Sequence, residues 1–144
     1  MEGMFVHPNT VLNACAAIER WLTGLENESG VLSSANETKI AEWLDSLWAW
    51  HNELRFAQSF ERPPRDPNSV ISRALRRNDE VESKLRRAQN TNEARKQERQ
   101  EKERQERERR ERERRERERR ERERRERERR ERERRERQAR DRRR

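Results

Sequence analysis

The sequence predicts an all-α protein: a helical hairpin or three-helix unit, followed by a long, charged single α-helix. Through residue 92, apolar side chains recur at three- and four-residue steps, the spacing of one helical face. Residues 106–135 are six head-to-tail copies of ERERR, and neither glycine nor proline interrupts residues 68–144. The predicted segments are an acidic, tryptophan-rich hairpin (1–60), a proline-rich linker (61–67), an amphipathic helix (68–92) and a Glu/Arg repeat helix (93–144).

The first helix is predicted to begin near Asn9 or Thr10, since either residue can cap a helix. A short polar segment follows, so the second helix is expected to fold back antiparallel to the first. Ser34 with Glu37 three residues later predicts the start of that helix, which must end near Phe60, before the prolines. The apolar faces predicted to be buried are Val11, Cys15, Ile18, Trp21, Leu22 and Leu25 on the first helix, and Ile40, Trp43, Leu44, Leu47, Trp50, Leu54 and Ala57 on the second.

The aromatic side chains of the second helix exceed what a hairpin can cover. Trp48, Phe56 and Phe60 fall off the predicted buried stripe, and about 60 residues bury too little surface to hide them. Two interpretations remain open: packing within a core completed by a third helix, and a surface that binds a protein partner or a second copy. The candidate partner-binding residues are Trp43, Trp48, Trp50, Phe56 and Phe60.

Residues 68–92 carry a seven-residue apolar pattern. A helix is predicted to start after a cap at Asp66 or Asn68, with Pro67 in its first turn. Asparagine and alanine occupy many seam positions, so any parallel coiled coil would be weak, although a seam asparagine can fix register. The alternative is that this helix packs on the hairpin as a third helix, and both arrangements can coexist. The candidate self-association residues are Ile71, Asn78, Val81 and Leu85.

The ERERR tract lacks the apolar seam of a coiled coil, and each pentad is rotated by about 140° from the one before. Four of the five i,i+4 contacts in each pentad join opposite charges, which favours a helix that stands alone. Residues 93–137 resemble the ER/K class of stable single α-helices, although ERERR alternates its charges faster than the blocks of about four typical of that class. The resemblance implies a rigid, solvated helix, and partial disorder is the alternative.

Charge divides the chain and bounds its function. Residues 1–60 hold 8 acidic and 3 basic residues, a net charge of −5, whereas residues 93–144 hold 18 and 28, a net charge of +10. A basic tail favours a polyanionic partner. Arginine-rich RE/RD tracts are similar to those of RNA-processing and some viral RNA-associated proteins. The candidate nucleic-acid-binding residues, where positive charge is densest, are Arg137, Arg140, Arg142, Arg143 and Arg144.

The favoured function is a non-enzymatic interaction or assembly protein that binds a protein partner or a second copy through its head. The alternative is an accessory protein, of the kind some viruses encode, that binds RNA without sequence preference through its tail. His7 and His51 are isolated, and Cys15 is expected in the core, so we expect no catalytic, metal or cofactor site and no small-molecule substrate. No apolar run reaches the ~18 residues of a membrane span, and no secretory signal is recognisable, so a soluble cytoplasmic or nuclear protein is expected.

Overall fold

The structure is a computed structural model that describes residues 6–28, 30–62 and 66–143. These residues form three helices and no strand: α1 (Pro8–Glu26), α2 (Ser34–Gln58) and α3 (Val70–Arg142), of which the last is by far the longest. The predicted all-α class is therefore confirmed. The chain divides into two compact units, an N-terminal unit (Met1–Gln97) and a C-terminal unit (Glu98–Arg144).

The first two helices begin slightly earlier than the sequence predicted. The side chain of His7 caps α1, because its Nδ1 accepts a hydrogen bond from the amide of Asn9 at 3.1 Å. Pro8 follows in the first turn, where its missing N–H costs nothing. At α2 the cap is Ser33, whose hydroxyl accepts from the amide of Asn36 at 3.2 Å. In both cases a side-chain acceptor that precedes the predicted cap accepts a hydrogen bond from a free N–H group of the first turn.

The third helix begins later than predicted. Ser69 precedes Val70, and its hydroxyl accepts a hydrogen bond from the amide of Ser72 at 3.0 Å, which is the geometry of a cap. Asp66, one of the expected caps, instead accepts from the amide of Asn68 at 2.9 Å and so closes a turn before the helix. Pro63 and Pro64 of the predicted linker lie outside the described residues.

All three helices contribute to one apolar core in the N-terminal unit. The first part of α3 contributes buried side chains to this core together with α1 and α2. The buried apolar residues are Val11, Cys15, Ile18 and Leu22 of α1, Ile40, Leu47 and Leu54 of α2, and Ala74, Leu75, Val81 and Leu85 of α3.

Two buried asparagines of α3 fix how the other elements lie against it. The amide Nδ2 of Asn78 donates to the carbonyl oxygen of Leu47 on α2 at 2.9 Å. The carbonyl Oδ1 of Asn92 accepts from the backbone amide of Leu32, in the α1–α2 connection, at 2.8 Å. The same connection contains Gly30 at φ 110°, a left-handed conformation that glycine adopts without strain. Arg95 donates to the carbonyl of Gly30 at 2.9 Å, so α3 holds this turn at two points.

Charged side chains also join the helices. Arg77 of α3 makes a two-pronged hydrogen bond to Glu19 of α1, with both N–O distances at 2.7 Å, and Lys84 approaches the same carboxylate at 3.0 Å. The hydrogen bond from Arg77 lowers the pKa of Glu19 from its ordinary 4.5 to about 2. At the other end of the bundle Lys96 donates to Glu37 at 2.8 Å, and this bond lowers the pKa of Glu37. These pairs orient α3 against both helices of the hairpin.

Candidate functional site

The aromatic residues of α2 separate into a buried-side pair and an exposed group. Trp43 and Trp50 are half-buried against the core, and their ring centroids lie 6.5 Å apart. In contrast, Trp48, Phe56 and Phe60 are 67%, 55% and 70% exposed. We call these three side chains the aromatic surface. Of the five predicted partner-binding residues, therefore, three are exposed and two are half-buried against the core.

Helical geometry explains why these side chains face outward. The fully buried positions of α2 are Ile40, Leu47 and Leu54, which recur every seven residues and define its inner face. Trp48 follows Leu47 by one residue, a rotation of about 100°, and so leaves that face. Phe56 lies eight residues beyond Trp48, which is a rotation of only about 80° and keeps both rings on the same side of the helix.

The end of α2 widens this surface. Helical geometry ends at Gln58, but the amide of Phe60 donates to the carbonyl oxygen of Ala57 at 3.1 Å and continues the turn. That turn brings the ring of Phe60 edge-on to Phe56, with centroids 5.1 Å apart. Edge-to-face contact is a favoured aromatic arrangement, so the two rings support each other at the surface.

The residues predicted to mediate self-association are mostly inside the bundle. Asn78, Val81 and Leu85 are fully buried among α1, α2 and α3, and Ile71 is half-buried against the same core. A second copy could reach them only after the bundle had opened. The seven-residue pattern is compatible with the packing of α3 in this bundle, because a helix with two neighbours buries the same stripe as one strand of a coiled coil.

The isolated histidines and the cysteine have structural surroundings. His7 caps α1, and Nδ1 of His51 lies 3.4 Å from Oδ1 of Asp79. Cys15 is fully buried in α1, and burial raises the pKa of its thiol to about 11. Such a thiol is overwhelmingly protonated at neutral pH, and the thiolate is the reactive form. No group of three or more metal-ligating side chains occurs within the described residues.

A cleft between α1 and α3 was not predicted. Its volume is about 240 Å³, and its lining mixes apolar side chains such as Leu22 and Leu25 with Glu26 and with the cations Lys84, Arg87 and Arg95. These three residues recur on α3 at steps of three and eight, which places them on one side of the helix. The spacing of these three cations could be seen in the sequence. The sequence could not show, however, which residues of α1 lie opposite them. Two of the cations are already engaged, Lys84 with Glu19 and Arg95 with Gly30.

The C-terminal unit consists of the remainder of α3, which is helical through Arg142. Every described side chain in residues 98–143 is exposed, including Arg137, Arg140, Arg142 and Arg143. Arg144, the last predicted nucleic-acid-binding residue, lies outside the described part of the chain. The structure thus places four of the five predicted arginines on one solvated helical end.

Ion pairs within the ERERR tract follow one rule. They join the first glutamate of a pentad to its last arginine, as in Glu106–Arg110 at 2.9 Å and Glu121–Arg125 at 3.6 Å. The pair Glu131–Arg135 is the same contact at 4.0 Å. Glutamate on the N-terminal side at i,i+4 is the more favourable orientation, which explains why this contact recurs. Each pair is exposed and contributes well under 1 kcal/mol, so stability of this helix must come from repetition.

Comparison with known proteins gives no match: no family model, no curated protein and no solved structure is similar to this chain. Among the described helices, none has both the length and the apolar character that crossing a bilayer requires. Function must therefore be argued from the aromatic surface and from the charged helix.

Proposed function

We propose that this chain is a non-enzymatic interaction protein whose helical head binds a protein partner, or a second copy, through the aromatic surface on α2. The finer architecture that we propose with it is a compact three-helix head joined to a solitary, mildly basic helix. In this scheme the head carries the recognition, and the Glu/Arg helix acts as a spacer or arm.

The observation that supports this proposal is the exposure of Trp48, Phe56 and Phe60. At about 200 Å² per aromatic side chain, their exposed fractions sum to roughly 400 Å². Together these three side chains approach the area of the largest apolar patches on soluble monomers, which often mark binding sites. It would supply about half of the ~800 Å² that each partner contributes to a standard interface.

The composition of this surface also fits recognition. Tryptophan is among the residues most enriched at interface hot spots, and a truncation there typically costs 2 kcal/mol or more. Exposed Asp45 and Asn52 lie on the same side of α2 and can provide a polar rim. Because none of these side chains belongs to the buried core, selection for stability alone does not explain aromatic residues at positions 48 and 60.

The test replaces Trp48 or Phe60 with a photo-crosslinking residue in the full chain and identifies the adducts by mass spectrometry. The matched control carries the same residue at Arg73, which is exposed on α3 of the same unit. We expect adducts with one defined protein, or of twice the chain mass, at positions 48 and 60 but not at 73. Trp48→Ala should then weaken that association by about 30-fold or more at unchanged fold stability. Equal adduct yields at all three positions, or unchanged affinity, would reject the proposal.

A second candidate function is binding of RNA without sequence preference, and a specific observation favours it. Residues 98–143 hold 25 basic and 17 acidic residues, a net charge of +8, and all of these side chains are exposed. Arginine suits phosphate because its planar fork of donors matches two phosphate oxygens. Binding of this kind depends on counterion release and so weakens steeply with salt.

The test of the second candidate changes one arginine in each pentad. Arg109→Gln, repeated at the fourth position of all six copies, removes six positive charges and keeps every Glu–Arg pair seen in the tract. Affinity for a random RNA is measured between ~50 and ~200 mM salt. We expect the log–log salt slope to flatten by about 4–5, which is six charges at about 0.7–0.9 each. A full chain that shows no salt-dependent binding would eliminate this candidate.

A further inference from the structure

The six pentads of residues 106–135 point in six different directions around α3. Each pentad advances the helix by about 500°, so successive copies are rotated by about 140°. Starting from zero, the six copies face about 0°, 140°, 280°, 60°, 200° and 340°. Sorted around the axis, these directions leave no gap wider than about 80°. The tract therefore has no single basic face, unlike an amphipathic basic helix.

Arginines of neighbouring pentads nevertheless form a local cluster of positive charge. Where the first two copies meet, Arg107 and Arg110 of the first copy and Arg114 of the second line one recess together with Glu111. Arg110 is partly neutralised by Glu106, at 2.9 Å, whereas Arg107 and Arg114 make no ion pair with any described residue. The same spacing of arginines in the sequence recurs five residues later and about 140° further round the helix. Arginine clusters therefore follow a spiral that reaches all sides of the helix.

The dimensions of this helix allow two polyanions to lie on it at once. A helix with its side chains is about 10–12 Å wide, and the Debye length at 0.1 M salt is about 10 Å. Two nucleic acids on opposite sides are thus separated by about one Debye length or more, and their mutual repulsion is largely screened. The tract carries an excess of about one positive charge per 7.5 Å of helix. A duplex on one side contacts only the pentads that face it, so a second duplex on the opposite side contacts a different set of arginines.

We infer that residues 106–135 bridge two nucleic-acid segments, with the first, fourth and sixth pentads contacting one segment and the second, third and fifth contacting the other on the opposite side of the helix. This inference rests on the second candidate function and adds that one tract binds two nucleic-acid segments at once. The chemistry recognised is the phosphodiester backbone, which RNA and DNA share. A helix with all of its arginines on one face would bind one segment and leave its other face empty.

The rotation can be removed without changing the charge. Inserting Ala-Gln after each pentad lengthens the repeat to seven residues, which advances the helix by about 700° and rotates successive pentads by only about 20°. The six pentad directions then span only about 100°, instead of the full circumference. The matched control carries the same twelve inserted residues as one block after Arg135, so length, composition and net charge are identical. Both variants keep the first-to-fifth Glu–Arg pair of every pentad.

Bridging is measured with two 20-base-pair RNA duplexes, one labelled with a donor and one with an acceptor fluorophore, at one full-length chain per two duplexes. We expect energy transfer for the parent chain and the block control, and at least fivefold less for the seven-residue variant. All three should bind a single labelled duplex with affinities within about threefold. Repeating the measurement with DNA duplexes distinguishes the two sources of phosphate, since RNA-selective transfer would point to an RNA partner.

Each outcome decides between the two ideas. Absence of duplex binding by the parent chain eliminates the nucleic-acid function, and the bridging inference with it. Binding that saturates at one duplex per chain without energy transfer overturns bridging alone. Equal transfer by the seven-residue variant and the block control also overturns it, because the rotation would then be irrelevant. Should circular dichroism show that the seven-residue variant has lost its helix, the stoichiometry of the parent chain decides: two duplexes per chain support bridging, and one refutes it.

Discussion

Replacing the buried Asn78 with leucine is expected to stabilise the N-terminal unit. Asn78 is fully buried, and its Nδ2 donates to the carbonyl oxygen of Leu47 at 2.9 Å. Its Oδ1 is also buried but accepts no hydrogen bond from any described residue. The carbonyl of Leu47 lies inside α2, where the helix itself supplies a donor four residues later. Leucine therefore removes an unsatisfied acceptor without leaving a new one.

The magnitude follows from three contributions. An unsatisfied buried acceptor costs about 1–3 kcal/mol, and the lost Nδ2–carbonyl bond is worth about 0.5–1.5 kcal/mol. Leucine has the same branching as asparagine but bulkier methyl groups. It adds roughly 1.5–3 kcal/mol of apolar burial, reduced by about 1–3 kcal/mol where these methyl groups fit imperfectly. The expected net effect of Asn78→Leu is a gain of about 1–2 kcal/mol. For a unit of this size, that corresponds to a rise in Tm of about 5–15 °C.

Urea unfolding of the full chain, followed by circular dichroism, measures this effect through the midpoint at constant slope. Asn78→Asp is the control with the opposite sign, because it buries a carboxylate that cannot donate to the carbonyl oxygen of Leu47, and it should cost about 3 kcal/mol or more. A leucine variant that is less stable than the parent by more than about 1 kcal/mol would refute the reasoning. That result would show that Oδ1 is satisfied in solution or that leucine cannot be accommodated beside Leu47.

Three further predictions concern other parts of the chain. Because Arg77 holds the pKa of Glu19 at about 2, below its ordinary 4.5, the pair stabilises the fold above pH ~4.5, and this contribution is lost as the pH falls towards 2. Between pH 4.5 and 2, the free energy of unfolding of Glu19→Gln should therefore fall by about 1–2 kcal/mol less than that of the parent chain. This difference is smaller than the pKa shift of Glu19 implies, because water reaches the pair. The same pH dependence in both chains would contradict the role of the Glu19–Arg77 pair. The thiol of Cys15, with its pKa raised to about 11, should react with iodoacetamide only as fast as the bundle opens, so that denaturant accelerates labelling; rapid labelling of the native chain would contradict its burial. A peptide of residues 98–143 should give a helical circular dichroism spectrum that weakens between ~0.05 and ~1 M salt as the i,i+4 pairs are screened, and a coil spectrum at low salt would show that these pairs do not suffice.

The periodicity of apolar residues was sufficient to predict the three helices and most of the core. Ile18, Leu47 and Leu54 are buried because each has other apolar residues three, four or seven positions away on its own helix, and so lies on the apolar face. Caps were predicted less well, since the sequence offers several neighbouring acceptors. Ser33 and Ser34 both qualify at α2, and which of them caps depends on where tertiary packing starts the helix.

Interhelical partners could not be read from spacing. The seven-residue stripe of α3 is compatible with a second copy or with the hairpin, because both present an apolar surface to the same positions. Asn78 illustrates the difficulty: a polar residue in such a stripe resembles a device for fixing coiled-coil register, yet its amide contacts Leu47 within the same chain. Likewise Arg77 and Glu19, which are 58 residues apart, could not be paired before the helices were placed.

Salt provides a further argument for treating the two candidate functions as separable. Association through Trp48 and Phe60 would bury apolar surface, and such burial is maintained or strengthened as salt rises. Phosphate binding by residues 98–143 would weaken over the same range, because the released counterions are already abundant in solution. A single salt titration of the full chain with RNA therefore separates the two: complexes held by the charged helix dissociate, whereas those held by the aromatic surface persist. If all association vanished with salt, the aromatic surface would have no part in it, and Trp48→Ala would then leave every measured affinity unchanged.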